Sequence, residues 1–329
     1  MTHPTKIGWA THSANVYEYE AGGWHCVKVS EGCRNCYAEK MNGRFGSRQG
    51  NGKAYKEQSR KHLGTVSLNR TMLEGWKTAR RPRRIFLNSM TDTFLETIPQ
   101  EMILETFDAM AAAPQQLFYV LTKRAKRMAE VVNDWLQLSD RRSVPNNIML
   151  GVSVESEKVL RDRAFWLSHV PSLRFMSLEP LLGKVSLREW LPLLDWLIVG
   201  GESQVGARPM HYEWAEPIQE EAAEAGVPFF FKQWGMWWPL EELATYHDAK
   251  DDAFAHQSFG FLDPDGTFYD RWSLAGQHTP KNLVTRLTAS GDYNGRLLMV
   301  RPKKGDKPEK ATLRGIVYEE YSEKHQPLI

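Results

Sequence analysis

The run QLFYVLTKRAKRMAEVVNDWLQLSDRRSVPNNIMLGVSVES, residues 116–156, holds the unit from which the fold is built. QLFYVLTKR (116–124) is an apolar, β-rich stretch that ends in Thr122, Lys123 and Arg124. RAKRMAEVVNDWLQL is an amphipathic helix candidate, and NIMLGVSVES (147–156) is a second apolar stretch, ending at Ser153 and Glu155. Strand, helix and strand in that order predict a βα unit on a parallel sheet.

The same alternation extends in both directions. RIFLNSM (84–90), LRFMSLEPL (173–181), DWLIVGGES (195–203) and VPFFFKQWG (227–235) bring the strand candidates to six. Between them lie the helix candidates IPQEMILETFDAMAAA, SEKVLRDRAFWLSHV, a short SLREWLPL and HYEWAEPIQEEAAEAG. Each strand ends in polar residues: Asn88, Ser89 and Asp92; Lys123 and Arg124; Ser153 and Glu155; Ser177 and Glu179; Gly200, Gly201 and Glu202; Lys232 and Gln233. In a β/α barrel the carboxyl ends of the strands share one rim, so these clusters would line a common pocket. The expected fold is an α/β partial (β/α) barrel of about six or seven parallel strands. Residues 1–238 form the barrel unit and residues 239–329 an irregular extension, because after about 236 the pattern breaks into short apolar pieces with turn signals such as DPDG (263–266).

The 329 residues and 42% hydrophobic content suit one large domain or two smaller ones. No apolar run is long enough to span a bilayer, and the opening MTHPTKIGWATHS lacks the charged-then-apolar pattern of a signal peptide, so a cytoplasmic location with reduced cysteines is expected. The net charge of +2 hides an asymmetry: residues 40–84 contain thirteen Lys or Arg against Glu57 and Glu74. A local basic block of that kind argues for an anionic partner, nucleic acid or a nucleotide first, with a solvated basic loop as the competing reading.

The three cysteines of the chain, Cys26, Cys33 and Cys36, lie together in HCVKVSEGCRNCYAEK with C-x6-C-x2-C spacing. An odd count cannot be used up by disulfides within one chain, and three thiolates are one short of a closed structural zinc shell. An iron–sulfur cluster with one iron left open fits the count. Zinc completed by His25 or His12 is the competing reading. Gly22, Gly23, Ser30 and Gly32 flank the ligands and allow backbone to curl around a cluster, while a helix beginning at about Tyr37 would place its positive dipole end beside the thiolates.

The cysteine loop ending GCRNCYAEK, together with NSMTD, YVLTKR, LGVSVES, FMSLEPLLG, LIVGGESQVGARPM and PFFFKQWG, resembles the phage-associated three-cysteine-motif protein family over about residues 7–238. That family in turn looks like a distant relative of the radical S-adenosylmethionine (SAM) superfamily. The resemblance implies a [4Fe-4S] cluster on Cys26, Cys33 and Cys36, SAM on its open iron, an external reductant, and a 5′-deoxyadenosyl radical that abstracts hydrogen. It further implies Ser89 and Asp92 near the methionine amine, Lys123 or Arg124 on the carboxylate, Ser153 and Glu155 on ribose, and Gly200 and Gly201 against adenine. Glu179, Glu202 and Lys232 are left as catalytic candidates, with Arg208 and Gln233 near the substrate. The superfamily's usual spacing is C-x3-C-x2-C, so the six-residue first gap is a departure. Trp234, Trp237 and Trp238 are candidates for stacking or for packing. A nucleic-acid-binding module braced by zinc, and a hydrolase or lyase using Glu179 and Glu202 as an acid/base pair, are the alternatives from other classes.

Overall fold

A computed structural model describes residues 2–45, 55, 63–239, 259–270, 297–300, 313 and 317–320. The main sheet has eight strands: β1 (His3–Pro4), β2 (His12–Ala14), β5 (Arg84–Leu87), β6 (Leu117–Thr122), β7 (Ile148–Ser153), β8 (Leu173–Leu178), β9 (Trp196–Gly200) and β10 (Phe229–Gln233). They lie in the order β1-β2-β5-β6-β7-β8-β9-β10. Only β1 is antiparallel to its neighbour, so seven strands run parallel, at the upper end of the expected range. From β5 onward each strand pairs with the next one in sequence, which is the barrel arrangement rather than one that reverses at a switch point.

The sheet is curled. On a flat sheet β5 and β9 would stand about 19 Å apart, four steps of about 4.8 Å. Yet the single indole of Trp9 lies 4.7 Å from the ring of Phe86 on β5 and 6.1 Å from that of Trp196 on β9. Trp9 fills the concave side together with Tyr119, Met149, Phe175, Ile198 and Phe230. Gly151 leaves room for this layer, since a Cβ there would stand 2.4 Å from the Phe175 ring.

The alternate residues, Ile85, Leu87, Phe118, Val120, Ile148, Leu150, Met176, Leu197, Val199 and Phe231, face outward into the larger core beneath the helices. Those helices are α3 (Gln100–Ala111), α4 (Ala125–Leu138), α5 (Glu157–Ser168) and α6 (Tyr212–Glu224). In α4 the stripe Ala125, Met128, Ala129, Val132, Trp135 and Leu136 recurs at helical spacing and is buried. SLREWLPL forms only a 3-10 turn, Leu191–Leu193, with Pro192 inside it.

Between β2 and β5 the chain makes a two-stranded ribbon of β3 (Tyr17–Tyr19) and β4 (Val66–Leu68), and helices α1 (Tyr37–Phe45) and α2 (Arg70–Thr78). Asn69 caps α2 by accepting the Met72 N–H at 3.0 Å. In the basic block, residues 46–54 and 56–62, with Arg48, Lys53, Lys56, Arg60 and Lys61, lie outside the described residues.

Beyond the barrel, β11 (Trp238–Pro239), β12 (Phe259–Leu262), β13 (Phe268–Asp270) and β14 (Leu297–Val300) form a small antiparallel sheet in the order β11-β14-β12-β13. Residues 317–320 run along the outer edge of β10, with Phe231 N–H donating to the Tyr318 carbonyl at 2.8 Å, and so cover an otherwise open sheet edge. Of the expected extension 239–329, residues 240–258, 271–296, 301–312, 314–316 and 321–329 lie outside the described residues. Among the described residues no helix is long and apolar enough to cross a membrane.

Candidate cysteine-loop site at the carboxyl rim

Side chains alternate along a strand, so the residues that follow the concave aromatic layer are fixed by parity. They are Ser153 after Met149 and Gly151, Ser177 after Phe175, and Gly200 after Ile198; Lys123, Glu155 and Glu179 follow just past the ends of β6, β7 and β8, and Lys232 lies where the register of β10 shifts between Phe231 and Gln233. The concave face is therefore aromatic at the amino end and polar at the carboxyl rim. Two of these residues meet: Lys232 Nζ and Glu179 Oε1 stand 2.6 Å apart, and Ser177 donates to the other Glu179 oxygen at 3.0 Å.

The cysteine loop approaches this same rim. Cys33 closes a 3-10 turn, Glu31–Cys33, whose Cys33 N–H donates to the Ser30 carbonyl at 3.0 Å. Cys36 precedes α1, and its carbonyl accepts the Lys40 N–H at 3.4 Å. The Ala38 and Glu39 N–H groups also act on the Cys36 thiol, the helix-terminus setting expected from the sequence. All three cysteines are free and partly buried. Burial pushes Cys36 up despite those N–H groups. Cys26 is pushed up to about 12 by burial first and Asp92 second, with Arg124 opposing and the other two cysteines adding to the rise.

Two tyrosines fix the turn after β5: Tyr37 donates to the Ser89 carbonyl at 2.5 Å and Tyr55 to the Met90 carbonyl at 2.6 Å. Asn88 adopts a left-handed φ of 53° there and uses its amide oxygen to accept the Val16 N–H at 2.9 Å. Ser89 Oγ accepts from Asn15 at 3.4 Å. Asp92 is buried and accepts from Thr122 Oγ1 at 2.7 Å, Phe94 N at 2.9 Å, Lys123 N at 3.1 Å and Arg124 at 3.2 Å.

Glu155 is 1% exposed and pairs with Arg163 of α5 at 2.6 Å. Burial raises its pKa, but Lys123, Arg163 and the Ser30 hydroxyl outweigh burial and hold the carboxyl below its ordinary range. Gly32 packs directly on it: a Cβ there would stand 3.0 Å from the Glu155 carboxyl carbon. Ser153 is buried, and its carbonyl accepts from Arg163 at 2.6 Å.

Glu202 accepts from the Arg208 backbone at 2.8 Å, from the Arg208 side chain at 2.7 and 3.2 Å, and from Asn35 at 2.8 Å. Burial works against ionisation here too, and Arg208 and Asn35 override it, so Glu202 is held below the usual carboxylate range. A carboxylate engaged in this way is a structural acceptor in the observed arrangement. Gly201 is a backbone requirement, since a Cβ there would lie 2.0 Å from the Trp234 carbonyl oxygen. Gly200 faces Glu179, whose Oε1 would meet an added Cβ at 3.0 Å. Gln233 donates to the Gly201 carbonyl at 3.0 Å. Trp234, Trp237 and Trp238 are buried, and Trp237 donates to the Ala207 carbonyl at 2.8 Å, so these indoles pack the loops rather than present a stacking face.

The two imidazoles considered as zinc ligands are placed differently. His12 opens β2 beside Ile85, at the amino end of the strands, where burial first and Arg83 second lower its pKa. His25 is buried with its ring centroid 6.0 Å from Tyr19 and 6.1 Å from Tyr55. Among the described residues no three His, Cys, Asp or Glu side chains converge on a point where they would hold one metal ion. A [4Fe-4S] cluster asks for less convergence, because each cysteine binds a different iron. The cysteine trio fits such a group chemically: burial disfavours the thiolates of Cys26 and Cys36, Arg124 opposes that at Cys26 and Lys123 at Cys36, and bound iron would add the positive charge that three neighbouring thiolates need.

Arg163 and Glu96 are the site residues the sequence reading missed. Arg163 falls on the buried stripe of α5 with Leu160, Ala164 and Leu167, and a charge on an apolar stripe signals a buried partner. Glu96 carries no comparable signal; its side chain is largely exposed and meets Arg124 only at its tip.

A parallel β/α half-barrel with a three-cysteine loop at its carboxyl rim is the class that this fold and site define. The chain belongs to the family described as Protein of unknown function (DUF5131), whose model matches residues 4–321. No curated protein matches the chain. Among solved structures, a serine-for-cysteine mutant of spore photoproduct lyase is similar, at 11% identity and a TM-score of 0.39, over 62% of this chain and 59% of that one. A doubly mutated spore photoproduct lyase with bound AdoMet and dinucleoside spore photoproduct gives 10% identity and a TM-score of 0.36, over 68% and 64%. The chain thus spans about three fifths of the length of the solved chains it matches.

Proposed function

We propose that the chain is a radical SAM-type enzyme that holds a [4Fe-4S] cluster on Cys26, Cys33 and Cys36. The observation that supports this reading best is the placement of its only three cysteines on one loop at the carboxyl rim of a parallel half-barrel, with Cys36 at the start of α1. The chemistry such a cluster and SAM supply together is one-electron reductive cleavage of a sulfonium, giving methionine and a 5′-deoxyadenosyl radical that abstracts hydrogen.

In this reading Lys123 is the cation that meets the SAM carboxylate, since Arg124 is engaged by Asp92 and Glu96. Ser89, in the turn fixed by Tyr37, and Ser153 remain the polar contacts for amine and ribose, and Gly200 keeps one side free of a side chain. The Glu179–Lys232 pair, on the concave face, faces the substrate and holds or moves a proton between Oε1 and Nζ. A nucleotide or nucleic-acid substrate, and the phage-associated setting, rest on the basic segment 40–84 and the sequence resemblance. Residues 1–238 are the catalytic unit and 239–329 an extension of it.

The test is anaerobic iron, sulfide and zinc analysis after reconstitution, followed by SAM and dithionite. Four irons and four sulfides per chain with 5′-deoxyadenosine formed are the expected result. One tightly held zinc, no iron uptake and no SAM cleavage would overturn the proposal and make the cysteines structural.

A further inference from the structure

The six-residue gap between Cys26 and Cys33 is held at both ends by arginines that reach up from the barrel rim. At its start, Arg124 donates to the Val27 carbonyl at 3.1 Å and places Nη1 3.9 Å from Cys26 Sγ. That guanidinium is 5% exposed and is itself fixed by Asp92 at 3.2 Å and by both Glu96 oxygens at 2.9 Å. At the end of the gap, Arg208 donates to the Glu31 carbonyl at 2.9 Å while bound through the same Nη2 to Glu202 at 2.7 Å. Asn35, between Cys33 and Cys36, donates to Glu202 and to the Gly206 carbonyl, both at 2.8 Å. A carboxylate-fixed arginine thus grips the loop at each end.

We infer that Arg124 and Arg208 are positioning residues that preorganise the long cysteine loop, and that Arg124 in addition donates an N–H···S hydrogen bond to Cys26 that tunes the bound cluster. The inference rests on the cluster reading above. Ordering a loop costs backbone entropy at every residue that is fixed. A loop already held open at both ends meets the metal with that cost largely met, and partners of this kind typically change metal affinity tenfold or more when lost. A hydrogen bond to a cluster sulfur favours the reduced, more negative state, so its loss lowers the midpoint potential.

The full-length chain carrying Arg124→Lys or Arg208→Gln tests this. Lysine keeps a positive charge beside Asp92, so the fold is retained, but it cannot reach Asp92, Val27 and Cys26 together. Three readouts are compared with the unmodified chain: iron retained after reconstitution and desalting, cluster midpoint potential, and the alkylation rate of Cys26 by iodoacetamide in the metal-free protein, followed by mass spectrometry. Both variants are expected to retain iron roughly tenfold less tightly. Only Arg124→Lys should shift the potential, to a more negative value, and speed Cys26 alkylation. Unchanged iron retention, potential and alkylation in Arg124→Lys would overturn the inference. Should the unmodified chain take up no iron, the cluster reading falls, and the alkylation rate alone then decides: faster in Arg124→Lys supports the grip on the loop, unchanged refutes it.

Discussion

Replacing Glu155 by Gln removes one charge from a pair in which the two side chains are 1% and 5% exposed. The glutamine is nearly isosteric and can still accept from Arg163, so the loss is electrostatic rather than steric. Lys123 also acts on the Glu155 carboxylate, so the substitution takes from both Lys123 and Arg163 the anion they act on. Breaking a buried pair from one side typically costs about 3–5 kcal/mol. With an unfolding entropy near 2.1 cal/mol/K per residue, a chain of this length loses about 1.4 °C of Tm per kcal/mol, so Glu155→Gln should melt about 4–7 °C lower. Arg163→Met should cost a similar amount by stranding the carboxylate. The double variant should recover to within about 1–2 °C of the parent, because replacing both partners of a buried pair removes the desolvation along with the attraction. Differential scanning calorimetry on all four proteins under one buffer measures the cycle. A double variant that melts as low as the sum of the singles would refute the reasoning and make Glu155 and Arg163 independent contributors.

Gly201→Ala forces a methyl to within 2.0 Å of the Trp234 carbonyl oxygen, so two loop backbones must separate; a loss of about 3 kcal/mol or more is expected in a chemical denaturation series. Gly75→Ala, exposed in α2 with nothing within 4 Å of the new Cβ, should instead raise stability by about 0.5–1 kcal/mol. Glu155 and Glu202 both have folded-state pKa values below their ordinary range. Their contribution is therefore present above the ordinary carboxylate pKa, near pH 4.5, and is lost as pH falls through the lower folded values, so a Tm–pH profile should drop below that point and the drop should shrink in Glu155→Gln. Cys33→Ala should abolish retention of a reconstituted cluster, whereas Lys123→Ala should weaken SAM binding in an equilibrium dialysis assay yet spare iron content; full iron content in the cysteine variant would sink the ligand assignment.

Much of this was legible because it depends on local pattern. Continuous apolar runs fixed six strands and their parallel arrangement, and parity along each strand set which rim residue follows the aromatic layer. The strand β2 was not legible: HSA is three residues long and carries no apolar run, and pairing with β5 and β1 makes it a strand. The helix start at Tyr37 was legible from the cysteine spacing, whereas α2 was hidden inside a basic run that reads as a charged loop.

What the sequence determined by itself is the βα order, the clustering of all three cysteines, and the polar residues at the strand ends, since each is set by neighbours along the chain. Tertiary structure decided which partner each of those polar residues meets. Asp92, Arg124, Glu155 and Glu202 look equivalent to Glu179 and Lys232 as letters after a strand, yet the first group is tied to the cysteine loop, the turn after β5 or a helix laid across the rim, whereas Glu179 and Lys232 pair with each other on the concave face. A buried charge must find a counter-charge, and which one it finds depends on how far the sheet curls around Trp9 and where the cysteine loop lands, both of which are long-range outcomes of packing.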